Sequence, residues 1–255
     1  MARRKLRLLH TSDVHLGSHG YHGAATHHKH CICPLLAVGQ LAEQHAVDGV
    51  LVVGDLFDHT RVDEKLVLRA FDALEAMVGF SVLIAGNHDV HDENSLYHTE
   101  RHGEALGQRD IVFFDELEGR VQHVADGQVK IWARAMDEHS SKYRPLHGVA
   151  ERGEHDGWFL VLGHGLHIGD DSPDAVSRSS LITASDIAAT GADYVALGHH
   201  HVLTDVSAGG VPAFYCGAPS GYPGGQVLLV ELCPESGVSA TPLPVTVADS
   251  CPHEV

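Results

Sequence analysis

Five short polar clusters each follow directly on an apolar run: Asp13-Val14-His15, Gly54-Asp55-Leu56-Phe57-Asp58, Gly86-Asn87-His88-Asp89, Gly163-His164 and Gly198-His199-His200-His201. Asp, Asn and His recur in them, and no thiolate is built into the set. Carboxylate and amide oxygens together with imidazole nitrogens suit Mn, Fe, Co, Ni or Zn. Cations held by such donors acidify bound water, which is hydrolytic chemistry. Taken singly, each residue reads best as an ordinary loop residue at a strand end. The repetition matters more, because strand ends on one side of a sheet converge in space, and open α/β sheets place their sites there.

The elements that must position these clusters are legible as alternating patterns. Leu6 to Thr11, Gly49 to Val53 and Phe80 to Ala85 are short apolar runs and read as buried strands. Between them, Pro34 to His45 has helical spacing with Pro34 at a helix start, and Val62 to Val78 carries Leu66, Ala70, Leu74 and Met77 on one face. This β-loop-α repetition predicts parallel strands with crossover helices. Ile111 to Phe114, Val121 to Val124, Val129 to Ala133, Phe159 to Leu162 and Tyr194 to Leu197 are further strand candidates, and a short helix is expected from Ser179 to Thr190. Val202 to Val206, Ala213 to Cys216, Val227 to Leu232 and Val238 to Leu243 read as antiparallel strands joined by Gly and Pro turns.

The order D-x-H, GD, GNHD, GH, GHxH across Asp13 to His201 resembles the calcineurin-like metallophosphoesterase superfamily. The stretches LLHTSDVHLGS, GDLFD, DYVALGHHH and YCGAPS are similar in wording to the nuclease subunit of the bacterial SbcCD repair complex and its relatives. The resemblance implies an α/β fold, a sandwich of two mixed sheets flanked by helices, over a single domain spanning residues 1–255. It implies two divalent cations, manganese first, with iron, nickel, cobalt or zinc as alternatives. By that pattern Asp13, His15 and His201 bind one cation, Asn87, His164 and His199 the other, and Asp55 bridges both. Such pairs lie about 3.5–4 Å apart and share a water or hydroxide that attacks the phosphate ester. His88 is then the acid or electrostatic partner of the leaving group, a role worth about 10²–10⁴-fold. Asp89 is expected to orient His88, and Asp58 to brace its loop.

Other residues invite plainer readings. His200, between two ligands on extended backbone, is expected to point away. His167 competes with His164, but the family pattern places the ligand directly after the strand-end glycine. His19, His22, His27, His28, His30, Cys31 and Cys33 form a His-rich stretch read as a solvated loop near the site, with extra metal capture or substrate contact as the alternative. Tyr97, His98, Tyr143 and Arg144 are expected at the surface, with substrate contact as the alternative, and the basic run Arg3, Arg4, Lys5, Arg7 as a solvated start.

Composition narrows the partners. Among 255 residues, 34 Asp and Glu face 17 Lys and Arg, a formal net charge of −17, alongside 23 histidines. Proteins that grip long stretches of nucleic acid show a basic face, so the charge weighs against extended nucleic-acid binding while leaving a local basic groove open. The SbcCD-like nucleases carry a DNA-capping region after the catalytic domain, for which little room is left here. The leading expectation is therefore a phosphoesterase acting on phosphodiesters. The rivals are an SbcD-type nuclease and, in another class, a catalytically silent metal-binding scaffold. No G-x-S-x-G or P-loop signature supports serine hydrolysis or nucleotide-driven transfer. Five scattered cysteines suggest no disulfide framework. No apolar run approaches the roughly 20 residues that span a bilayer. The apolar stretch after Met1 to Lys5 breaks at His10, too early for a secretory signal, so the expected location is cytoplasmic.

Overall fold

Continuous apolar runs demand burial on both faces, and the chain supplies it with two sheets that share an inner core, the first covered outside by helices and the second by one short helix and the irregular segment around Leu146. The computed structural model describes residues 3–18, 31–169, 179–220 and 224–247. The His-rich stretch from His19 to His30 lies outside the described residues.

The N-terminal half runs β1 (Leu6–Thr11), α1 (Cys33–Gln44), β2 (Gly49–Val53), α2 (Glu64–Glu75), β3 (Phe80–Ile84), α3 (Glu100–Gly107) and β4 (Ile111–Phe114). Strands β1 to β4 are parallel neighbours in that order, as short crossovers through helices require. Alternation along each strand divides its side chains. Leu8, Leu51, Val53, Val82 and Ile84 enter the core between the sheets, while Leu9, Val50, Val52 and Leu83 pack outward on α1 and α2. Asp63 caps α2 by accepting from the Lys65 amide at 3.0 Å. Leu66, Ala70, Leu74 and Met77 are buried, as their spacing predicts.

The second sheet is built from β5 (Arg120–Val124), β6 (Val129–Ala133), β7 (Trp158–His164), β10 (Tyr194–Gly198), β11 (Thr204–Asp205) and β12 (Ala213–Tyr215), in the order β11-β12-β10-β7-β6-β5. A small separate pair is formed by β8 (Leu166–Ile168) and β9 (Leu181–Thr183), followed by α4 (Ala184–Ala189). The chain returns to the first sheet through β13 (Gly225–Cys233) and β14 (Gly237–Val245), with β13 antiparallel to β1.

Two expectations change here. The segment expected as a helix from Ser179 begins as β9, because Leu181 and Ile182 pair with Leu166 and His167. The helix starts only where Thr183 and Asp186 form a reciprocal capping box. In the tail, β11–β12 and β13–β14 pair antiparallel as expected, and β12 also runs parallel to β10. Finally, β7 extends through His164, which makes that residue part of the strand rather than of the loop after it.

Leu160 on β7 is fully buried in the core between the sheets. Replacing it with Ala should cost about 2–5 kcal/mol, measured by the shift of the urea unfolding midpoint, and a loss below about 1 kcal/mol would show that the core refills the space.

Candidate active site

The C-terminal ends of β1, β2, β3, β7 and β10 lie on one edge of the sandwich, and the five polar clusters meet there. Backbone bonds draw the first two loops together. The Asp13 amide donates to Gly54 O at 3.1 Å, the His15 amide to Asp55 O at 3.0 Å and the Leu16 amide to Leu56 O at 2.9 Å. This crossing holds Asp13, His15 and Asp55 at positive φ (55°, 51° and 53°), and His199 stands at 102°. Each such residue costs on the order of 1–3 kcal/mol and persists only where its surroundings over-determine it. Glycines permit the close approach, since a Cβ on Gly54 would strike the His164 ring and one on Gly86 the Asp55 carboxylate.

Seven side chains face a common space. His15 Nε2 and His201 Nε2 are 3.3 Å apart, with Asp13 Oδ1 3.3 Å from His201 and 3.9 Å from His15. On the other side, Asn87 Oδ1 lies 3.1 Å from His164 Nε2 and 2.7 Å from His199 Nδ1. Asp55 Oδ2 stands between them, 3.3 Å from His164 Nε2 and 3.9 Å from His15 Nε2. Among the described residues, Asp13/His15/His201 and Asp55/His164/His199 each bring their ligand atoms within 4.8 Å of one another, and His15/Asp55/His88 does so as well. Asp13, His15, Asp55 and His164 are buried, whereas His88 is exposed at the mouth.

The donor set fits cations on its own chemistry. His164 Nδ1 donates to Val53 O at 2.9 Å, so a neutral ring turns a bare Nε2 lone pair toward the Asp55 carboxylate and Asn87 Oδ1. Acceptors facing acceptors need a positive charge between them, either a proton or a metal ion. Burial pushes the His164 pKa down, but the Asp55 charge and hydrogen bond outweigh it and raise the pKa to about 9. His15 is raised in the same way, the bond to Asp58 and the charges of Asp55 and Asp13 overcoming burial. Asp55 and Asp13 are both lowered, because the surrounding histidines outweigh the burial that would raise them. His199 is lowered to about 4, first by burial and then by the His164 charge, so it presents a neutral ring.

The supporting residues are arranged differently from expectation. Asp89 is fully buried, and its carboxylate accepts from the amides of Gly86 (2.7 Å), Asp55 (3.2 Å) and Phe57 (3.2 Å) and from the Tyr97 hydroxyl (2.8 Å). None of these bonds reaches His88, so Asp89 ties the second and third loops together. Burial and the nearby Asp55 charge raise its pKa. Asp58 stands beside His88 instead. His88 Nδ1 donates to Asp58 O at 2.8 Å, and the Asp58 carboxylate lies 3.2 Å from His15 Nδ1 and 3.6 Å from His88 Nδ1.

Tyr97 and Tyr143 are buried rather than at the surface, each with its hydroxyl bonded, to Asp89 and to Ala135 O respectively. Cys31 and Cys33 are buried too, with Cys33 opening α1. His200 is exposed and packs edge-on to Tyr215, pointing away from the centre as expected. The basic start is solvated and paired, Lys5 and Arg7 with Glu231 and Arg3 with Asp193. His139 was not anticipated. Its exposed ring stands 5.7 Å from the His199 ring, brought over the site by an irregular segment after β6 that carries no strand-end signal.

A two-sheet sandwich whose strand-end loops collect Asp, Asn and His at one edge defines the metallophosphoesterase class. The description "calcineurin-like phosphoesterase" fits residues 6–203, and the chain belongs to that family. Among solved structures, TT1561 of Thermus thermophilus superposes with a TM-score of 0.58 at 12% identity, over 93% of this chain and 99% of that one. The NAD nucleotidase (NadN) of Haemophilus influenzae superposes with a TM-score of 0.53 at 14% identity, over 97% of this chain but only 51% of that longer one. These likenesses are of fold. No curated protein sequence matches the chain. Among the described residues, no helix is long and apolar enough to cross a membrane.

Two measurements test this arrangement. Asp89→Asn sets an amide N–H₂ against donors it cannot satisfy, so it should destabilise by about 1–3 kcal/mol for each group left unpaired. Tyr97→Phe, which removes one donor, should cost less, and thermal melts of the two variants compare them directly. The second concerns pH. His164 is raised above its unfolded value, so in cation-free protein its contribution to stability is full below about pH 6.5 and lost as pH rises through about 9. A cation binds only the deprotonated ring. Loading at pH 7 should therefore release protons, as read by calorimetry in buffers of differing ionisation enthalpy, and apparent cation affinity should fall as pH falls.

Proposed function

We propose that the chain hydrolyses phosphate esters, phosphodiesters first, with two divalent cations, manganese foremost. Asp13, His15 and His201 would hold one cation, Asn87, His164 and His199 the other, and Asp55 both. The observation that carries this reading is the pair of ligand groups meeting on one buried Asp55 carboxylate. When bound, the cations supply an acidified water and positive charge against the phosphate oxygens.

The chain's own groups do the rest. Asp55 and Asn87 present oxygens to the centre, and the Asp55 Oδ1 that accepts from the His88 amide at 2.8 Å fixes that carboxylate's plane. Because His88 Nδ1–H is committed to Asp58 O, the proton for the departing alkoxide would come from Nε2–H of the doubly protonated ring. His88 sits at the exposed mouth, where a leaving group exits. Asp89 acts on catalysis by holding the Asp55 and Gly86 loops at their separation. His139, beside His199 at the opening, is positioned to touch the substrate's phosphate or its substituent.

A nuclease of SbcD type remains the second reading, on the wording of LLHTSDVHLGS, GDLFD, DYVALGHHH and YCGAPS. The net charge of −17 weighs against a long nucleic-acid footprint.

Chelator-stripped protein given bis(p-nitrophenyl) phosphate should regain turnover when Mn²⁺ is added. Asp55→Asn should lose bound metal and activity together, while His88→Ala should keep its metal and lose about 10²–10⁴-fold in kcat. Equal metal loss in both variants would overturn the separate roles, and metal-loaded wild type without turnover on diesters or monoesters would favour a binding scaffold.

A further inference from the structure

None of the roles above uses Tyr215-Cys216-Gly217 at the end of β12, although this segment lies against two of the ligand-bearing loops. Tyr215 is buried. Its hydroxyl donates to Gly165 O at 2.7 Å and accepts from the His167 amide at 2.8 Å, which pins the turn directly after His164. Cys216 Sγ stands 3.2 Å from Ser12 Oγ, on the residue directly before Asp13. Ser12 and Cys216 are both fully buried. The β10 backbone closes over the serine, since a Cβ on Gly198 would stand 2.9 Å from the Ser12 Cβ.

The two oxygens of Asp13 are treated differently. Oδ2 lies 2.5 Å from Ser12 Oγ and accepts from the His199 amide at 3.0 Å. Oδ1 faces His201 Nε2 at 3.3 Å and His15 Nε2 at 3.9 Å. Asp55 is divided in the same way, with Oδ1 on the His88 amide and Oδ2 toward the rings. A serine hydroxyl has one proton to give. Its other acceptor, Gly217 O, is uncharged and farther away at 3.4 Å, so the carboxylate takes the proton. The lone pairs of Ser12 Oγ are then left toward the Cys216 thiol, whose hydrogen has Ser12 Oγ and Gly217 O, at 3.1 Å, in reach.

We propose that Ser12 is a positioning residue for the cation assigned to Asp13, His15 and His201, with Cys216 holding its hydroxyl in place. The Ser12 proton on Oδ2 stops the Asp13 carboxylate from turning and keeps Oδ1 as the oxygen presented to the ion. Partners of this kind, one bond behind a ligand, order the ligand before the ion arrives and so raise affinity. The inference rests on the ligand reading of Asp13 given above.

The test titrates chelator-stripped full chain with Mn²⁺, counting bound ions by calorimetry and reading their spin coupling by electron paramagnetic resonance. Wild type should bind two ions and show the spectrum of a coupled pair. Ser12→Ala should bind one ion about 10–100-fold more weakly while the other keeps its affinity. At an intermediate Mn²⁺ concentration it should therefore show an uncoupled single-ion spectrum where wild type shows the pair. Cys216→Ala should weaken the same ion by less. Ser81→Ala is the control. It removes a buried hydroxyl bonded to Leu74 O at 2.7 Å, near the start of β3 and away from the ligands. That variant should melt at a lower temperature without moving either affinity. Two ions of wild-type affinity in Ser12→Ala would overturn the role of Ser12, and an unchanged Cys216→Ala would overturn the part given to Cys216. A wild type that binds fewer than two ions would instead overturn the ligand reading beneath the inference, and the inference with it.

Discussion

A carboxylate with about 1% of its surface exposed, at the line where two sheets meet, cannot remain charged without positive charge close by. Asp55 is that group, and much of this edge of the sandwich is arranged around it. One oxygen is held by the His88 amide, the other looks at His164 and His15. In cation-free protein, protons on those histidines supply the balance, which is why His164 is raised to about 9 while Asp55 is lowered. Protons and cations therefore compete for the same lone pairs, and the edge is built to prefer whichever brings more charge.

That requirement explains the backbone as well as the side chains. Four of the seven non-glycine residues at positive φ among the described residues are Asp13, His15, Asp55 and His199. Such conformations survive only under restraint. The crossing bonds from Asp13, His15 and Leu16 to the Gly54–Leu56 segment supply part of it, and Asp89 supplies more by binding three amides and a buried phenol at once. The outward-facing core of the first sheet, where Phe57, Phe71 and Tyr97 pack ring against ring, anchors those loops from behind.

Local chemistry made much of this readable before any coordinates. The strands ending at Thr11, Val53 and Ile84 are short, apolar and followed closely by Asp or Gly, so period and punctuation agree. The proposed ligands stand at or just beyond strand ends, and the structure brings all seven together. What stayed hidden depends on pairing across long sequence distances. Leu181 and Ile182 carry no signal distinguishing a strand from a helix start until Leu166 and His167 lie beside them. The direction of β12 is decided by β10, not by its own three residues. Asp89 looked like support for His88 because the two are adjacent in sequence. Its real partners, Asp55, Phe57 and Tyr97, arrive from other loops. Tyr97 looked like a surface residue for want of any view of Asp89 beneath it. His139 had no strand end to mark it.

Histidine abundance by itself said little about which rings matter, because the distinguishing feature is what occupies Nδ1 and where Nε2 is then aimed. In His164 and His88 a backbone carbonyl takes the Nδ1 proton, and in His15 the Asp58 carboxylate lies within 3.2 Å of it. Each commitment frees Nε2 for the strand-end cluster and orients the ring. His102 shows the same bond, Nδ1 to Leu96 O at 3.0 Å, where it tethers α3 to the preceding turn. His10 bonds Tyr194 in the core between the sheets and is lowered to about 3, chiefly by burial, so it stays neutral and apolar in effect. The tether orients a ring, but only a shared carboxylate such as Asp55 turns oriented rings into a site for charge, and at this edge that carboxylate is the residue the two sheets jointly bury.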